Sequence, residues 1–195
     1  MKKINTAIIG FGVVGKRRKR FIEINKNYNL KYISDISFKK DYLKNGIKYF
    51  QNYKDVFKFK DLDAVFVTLP NYLAPIVTKD ALKNKLHVFC EKPPAKCSKD
   101  LKNVILLEGK NKNLKLKYGF NHRYHGSTMK AKEILVKGTL GKILNIRAIY
   151  GKSKIVTFNK NEWRAKKKYA GGGILLDQGI HLIDLILFFH GDFIK

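Results

Sequence analysis

The sequence predicts an α/β fold in which a doubly wound parallel sheet is followed by the start of a second, smaller layer. Three observations carry this. Short apolar runs alternate with longer amphipathic stretches over residues 1–121, the pattern of βαβ units with helices on both faces of a parallel sheet. A glycine series, Gly10-Phe11-Gly12-Val13-Val14-Gly15, directly follows the first apolar run and opens the first amphipathic one. The alternation then stops after Phe120, leaving in residues 122–195 one strand and two helices, too few for an independent domain.

Residues 4–9 form the first strand and the glycine turn follows at once. A basic helix runs to about residue 25, with Phe21, Ile22 and Ile24 as its apolar positions. The second strand covers 30–34 and ends at Asp35, the third is brief (47–50), and the fourth covers 64–68. A helix over 73–83 carries Pro75 in its first turn, where a missing N–H costs nothing. The fifth strand is 87–90, after which Glu91-Lys92-Pro93-Pro94 breaks the chain. Ser98 can cap a helix to about residue 111, and residues 114–120 close the series as a sixth strand. Beyond it lie a helix at 128–137, an alternating strand at 143–150, and a basic loop at 151–170. Three glycines, 171–173, open a final apolar helix to about residue 189. The expectation is therefore a Rossmann-type doubly wound parallel sheet over 1–121 and an incomplete α+β second domain over 122–195.

Of the 195 residues 45% are apolar, which excludes wholesale disorder despite a net charge of +26. That charge suggests nucleic acid or an anionic surface as partner. Yet the excess is almost all Lys, 35 against 6 Arg, and it is spread along the chain, the one dense run being Lys16-Arg17-Arg18-Lys19-Arg20. Nucleic-acid readers favour Arg and group their charges on one element, so no specific nucleic-acid partner is expected. Cys90 and Cys97 lack the paired spacing of a zinc site and read as reduced thiols; no metal is expected. The apolar segment 174–189 is interrupted by Asp177, His181 and Asp184, unlike a bilayer span, and the protein is expected in the cytoplasm.

The glycine turn carries the first chemistry. Gly10 permits a tight turn, Gly12 lets the backbone approach a pyrophosphate, and Gly15 allows close helix–sheet packing, with the phosphates at the helix N-terminus. Asp35 ends the second strand, placed to accept hydrogen bonds from an adenosine ribose and to repel a 2′-phosphate, which favours NAD over NADP. Thr68-Leu69-Pro70-Asn71 follows the fourth strand at the edge where open α/β sheets bind ligands. Glu91-Lys92-Pro93 lies at the same edge. Asp177 and His181 are spaced i, i+4 on an apolar helix, where two ionisable groups are costly unless partnered.

GFGVVG at 10–15, TLPN at 68–71, CEKPPA at 90–95, GFNHRY at 119–124 and GGGILLDQGIHLIDL at 171–185 together resemble the Gfo/Idh/MocA family of sugar dehydrogenases. The resemblance implies that Lys92, Asp177 and His181 form the catalytic group. It assigns residues 10–15, Asp35, residues 68–71, Glu91 and Lys92 to the cofactor, and Arg123, Trp163 and Arg164 to the substrate side. It implies a small-molecule substrate, a sugar or nucleotide-sugar of surface-polysaccharide or sugar metabolism, and a homo-oligomer for a full-length form. Both Lys92 and His181 are candidates for taking the hydroxyl proton. Two positions depart from the family pattern: Ala74 stands where many members have His, and Lys85 where a helix-ending Gly is usual. Members continue into a broad sheet beyond the last strand here. The alternative is therefore a truncated, non-catalytic NAD-binding or interaction chain, with nucleic-acid binding behind it.

Overall fold

The computed structural model describes residues 2–151 and 162–192. The chain divides into two compact units, Met1–Gly119 and Phe120–Lys195. Residues 152–161, the first part of the expected basic loop, lie outside the described residues, as does the chain end at Lys195.

The first unit is built on a sheet of seven strands: β1 (Ile4–Ile9), β2 (Tyr28–Ser34), β3 (Tyr42–Lys44), β4 (Ile47–Phe50), β5 (Ala64–Val67), β6 (His87–Cys90) and β7 (Leu116–Tyr118), in the order β3-β4-β2-β1-β5-β6-β7. All neighbours are parallel except β3 with β4. With β3 set aside, the other six are the strands the sequence predicts, winding outward in both directions from β1 as in dinucleotide-binding folds. Ala7, Ile8 and Ile9 are all buried because both sheet faces are covered. Successive residues face opposite sides: Ala7 and Ile9 join Val65, Val77 and Val104, whereas Ile8 joins Ile22 and Ile33. The first cluster takes in α2 (Tyr53–Val56), α3 (Ala74–Lys83) and α4 (Lys102–Lys110), the second α1 (Val13–Ile24).

Several local expectations are corrected. β3 is an addition: Asn45 (φ 51°) and Gly46 (φ 75°) form a two-residue hairpin turn to β4, and Asn-Gly is the strongest short hairpin signal a sequence carries. On α1 only Ile22 of the three expected apolar positions is buried; Phe21 and Ile24 are exposed. The sheet-facing stripe runs instead through Gly15, Arg18 and Ile22, at helical spacing. Ser98 caps nothing. The extended residue before the turn is Cys97, so Ser98 sits inside a 3₁₀ turn, Ser98–Leu101, that leads into α4.

The second unit holds a 3₁₀ turn at Asn121–Tyr124, α5 (Gly126–Val136), a short turn at Trp163–Ala165, α6 (Lys167–Ala170), a π-helical turn at Leu175–Gly179, and α7 (Ile180–His190). The strand expected over 143–150 does not form. A strand is held by its ladder, and among the described residues no neighbouring segment pairs with this one. The last expected helix forms as an unbroken helical run over 174–190 that opens after the three glycines, its π-helical stretch running directly into α7, while Gly171 (φ 85°) closes the separate α6 ahead of it. By length and composition alone Lys167–His190 would suffice to cross a membrane, an 18-residue stretch of it having mean hydropathy 1.5.

Candidate active site

In the first unit the residues singled out in the sequence follow the carboxyl ends of adjacent parallel strands: Gly10 after β1, Asp35 after β2, Thr68 after β5, Glu91 after β6. β1 and β5 flank the point where the winding reverses, the place at which such sheets bind ligands. The three glycines differ in what forbids a side chain. Gly10 adopts φ 93°, and a Cβ there would lie 2.7 Å from the Thr68 carbonyl oxygen. A Cβ on Gly15 would overlap the Gly10 carbonyl, so α1 packs against the turn backbone to backbone. A Cβ on Gly12 would meet nothing within 4 Å. Folding thus requires glycine at 10 and 15, while the space at 12 is left open. Gly12 is also the N-cap of α1 and offers no side-chain cap to its amides.

The turn is held from three sides. Thr68 Oγ donates to the Gly10 carbonyl at 2.5 Å, and the Thr68 amide to the Ile9 carbonyl at 2.9 Å. Phe11 packs against Phe38 and Tyr49, leaving Val14 half-buried and Val13 exposed. The Pro70 carbonyl accepts from the Leu73 and Ala74 amides at the start of α3, Leu69 lies against Gly10, and Asn71 is buried. Asp35 does more than the sequence suggests: its Oδ2 accepts from the Phe11 amide at 2.5 Å and its Oδ1 from the Ser37 amide at 2.9 Å. Partial burial pushes its carboxyl up. Hydrogen bonds from Ser37 and Phe11 and the charge of Lys16 outweigh this and hold it below the usual carboxylate range.

Lys92 is half-buried on the turn after β6, and the Lys92–Pro93 peptide is cis. Before it, Cys90 is buried, and desolvation pushes its thiol up to about 12, so it stays protonated and unreactive. Glu91 accepts from Arg18 Nε at 2.7 Å, a partner that sequence reasoning missed within the basic run. The spacing of Gly15, Arg18 and Ile22 on one helix face is the signal that finds it.

In the second unit His181 is buried on α7 and Asp177 lies on the π turn before it, its Oδ2 accepting from Gln178 Nε2 at 2.6 Å. The His181 ring stacks on His122 at 4.1 Å and 14°, and Tyr150 and Phe120 lie 6.2 and 6.3 Å from it. Arg123 grips the buried Asp184 with both Nε (2.8 Å) and Nη2 (2.6 Å) and lies over Phe188. The Asn121–Tyr124 turn therefore holds the helix bearing His181 at two points, an aromatic stack and an ion pair. Asp184, read from the sequence only as a break in an apolar run, is the anchor. Trp163 and Arg164 share one short turn, the guanidinium 4.5 Å from the indole. No group of three or more His, Cys, Asp or Glu among the described residues is arranged to hold a metal.

Residues 4–120 match the sequence profile of the Gfo/Idh/MocA oxidoreductases with an NAD-binding Rossmann fold, and residues 128–195 match that family's C-terminal domain. The chain belongs to the Gfo/Idh/MocA family. Among its relatives, glucose-6-phosphate 3-dehydrogenase of Bacillus subtilis (strain 168) is 31% identical over 203 positions, covering 100% of this chain and 55% of that protein. The crystal structure of myo-inositol 2-dehydrogenase from Lactobacillus plantarum is 26% identical with TM-score 0.76, covering 97% of this chain and 57% of that one. The scyllo-inositol dehydrogenase of Lactobacillus casei with bound NAD(H) and scyllo-inositol shares the fold, at 23% identity and TM-score 0.76, over 97% of this chain and 57% of that one. This Gfo/Idh/MocA chain spans about half the length of the curated relatives it matches.

The residues present fit the family's dinucleotide. The open space at Gly12, the uncapped amides of α1 and the Asp35 carboxylate are of the kinds that would accommodate a pyrophosphate, donate to it and accept from a ribose.

Proposed function

We propose that the chain carries the site of an NAD-dependent dehydrogenase acting on a secondary alcohol of a sugar or nucleotide-sugar in the cytoplasm. The observation that carries this is the placement of Lys92 on the same sheet edge as the glycine turn, two strands from β1. Residues 10–15, Asp35, residues 68–71 and Glu91 hold the dinucleotide, with Asp35 selecting NAD over NADP. The dinucleotide, when bound there, would supply the hydride acceptor or donor for the reaction. Lys92 donates a hydrogen bond to the substrate oxygen and stabilises the negative charge that develops on it. The His181 imidazole holds or takes the hydroxyl proton, and Asp177 orients substrate or imidazole. Arg123, Trp163 and Arg164 line the substrate side, Arg123 already braced by Asp184. The basic surface suits an anionic sugar, and the glucose-6-phosphate enzyme among the relatives supports the same substrate class.

The test is nicotinamide absorbance with purified chain, NAD or NADP, and a panel of sugars, inositols, sugar phosphates and nucleotide-sugars. At least one member turns over, and Lys92→Ala and His181→Ala each lower the rate by at least about 100-fold with NAD binding retained. Unchanged turnover in either variant removes that residue from the mechanism. NAD binding with no turnover of any panel member favours the reading of a non-catalytic nucleotide-binding chain.

A further inference from the structure

Arg18 stands in the middle of the basic run 16–20, whose Lys16, Arg17 and Arg20 are solvated. Its own position differs. It lies on the sheet-facing stripe of α1 between Gly15 and Ile22, where an amphipathic helix would carry an apolar residue. The guanidinium is there for a partner: Nε donates to Glu91 Oε1 at 2.7 Å, Nη2 pairs with the same oxygen, and Cζ lies 4.7 Å over the Phe89 ring. The side chains are 27% and 16% exposed, so water competes weakly for the pair. The second Glu91 oxygen, Oε2, lies 2.7 Å from where a Cβ on Gly119 would project. Three elements thus converge on one carboxylate: α1 supplies the cation, β6 the platform ring, and the end of β7 a glycine that leaves room.

We infer that Arg18 is a positioning residue that locks the Glu91-Lys92-Pro93 turn to the helix whose N-terminus forms the glycine turn. The inference rests on the reading of Lys92 and the glycine turn given above. Lys92 follows Glu91 directly, so fixing the Glu91 side chain fixes the backbone from which Lys92 projects. Gly15, the glycine that seats α1 on the turn, lies one helical turn before Arg18. One ion pair therefore ties the proposed phosphate-binding end of the site to the turn that carries the lysine proposed to meet the substrate oxygen. Without the guanidinium, a half-buried carboxylate would be left without its cation.

A double-mutant cycle on the full chain tests this, with Arg18→Ala, Glu91→Gln, the pair together and Arg18→Lys. The readouts are NAD affinity by calorimetry and, with the best panel substrate, kcat and KM. Arg18→Ala weakens NAD binding and lowers kcat about tenfold each while leaving the sugar KM within about twofold, and the double variant loses no more than Glu91→Gln alone. Arg18→Lys, which keeps the charge, recovers most of both. Losses that multiply in the double variant, or a Lys variant as poor as Ala, overturn the inference. NAD affinity reads the cycle even where turnover is slow. Lys92→Ala with full activity would instead sink the underlying reading, and an inactive Lys92→Ala beside an uncoupled Arg18 would sink this inference alone.

Discussion

The two units present chemical groups by different means. In the first, each proposed residue stands at the end of a strand paired on both sides, and the strands fix its position. Ile9 leads into Gly10 between β2 and β5, Val67 into Thr68 between β1 and β6, and Cys90 into Glu91 between β5 and β7. In the second, the residues sit on a helix held by a four-residue turn through one imidazole stack and one ion pair. Here Leu144 and Ile149 are 94% and 81% exposed, and Ile174 and Leu175 are exposed as well. A sheet holds its edge residues collectively, whereas the helix depends on a few polar contacts. Single substitutions should therefore act differently in the two units.

The largest expected effect falls on backbone packing in the first unit. Gly15→Val puts a branched side chain into the Gly10 carbonyl and Thr68, where neither can give way. Loss of the cooperative thermal transition and of NAD binding is expected; a variant folding like the parent would show that α1 is not seated on the turn. Next comes Arg123→Ala, which strands the buried Asp184 carboxylate. A destabilisation of about 3 kcal/mol is expected, read by urea melts, with Asp184→Asn/Arg123→Met losing less than the single change. A loss no larger than that of an exposed pair would make the second unit's anchor something other than this ion pair.

A smaller effect concerns acid. The folded state holds Asp35 below the ordinary carboxylate value, so it favours the ionised form. That stabilisation is present above about pH 4, the unfolded value, and is lost as pH falls through the folded value. The gap in melting temperature between the parent and Asp35→Asn should be full at pH 6 and shrink toward pH 3. A gap independent of pH would contradict the hydrogen bonds to Phe11 and Ser37. The smallest effect is a gain. Lys85 stands at φ 60°, a left-handed position after α3 where glycine is at ease, and Lys85→Gly should stabilise by about 0.5–1 kcal/mol.

The same contrast decides what could be read from the sequence. The six parallel strands and the glycine turn are local signals, and each is visible within a few residues. The Asn45-Gly46 hairpin was equally local and lay hidden only because β3 is three residues long and exposed. Arg18 was recoverable from helical spacing but masked by four basic neighbours. The Arg123–Asp184 pair spans 61 positions and leaves no local trace. Residues 143–150 alternate as a strand should, yet alternation describes one face only, and a strand also needs a partner that the described residues do not supply.

The central claim is that the opening at Gly12 is a dinucleotide site. Calorimetric titration of NAD into the parent and into Gly12→Ala tests it most directly, because a Cβ there meets no atom of the protein and the fold should not change. Micromolar NAD binding by the parent and at least about tenfold weaker binding by the variant are expected, with melting temperatures that coincide. A folded parent that does not bind, or a variant that binds equally well, would contradict that claim.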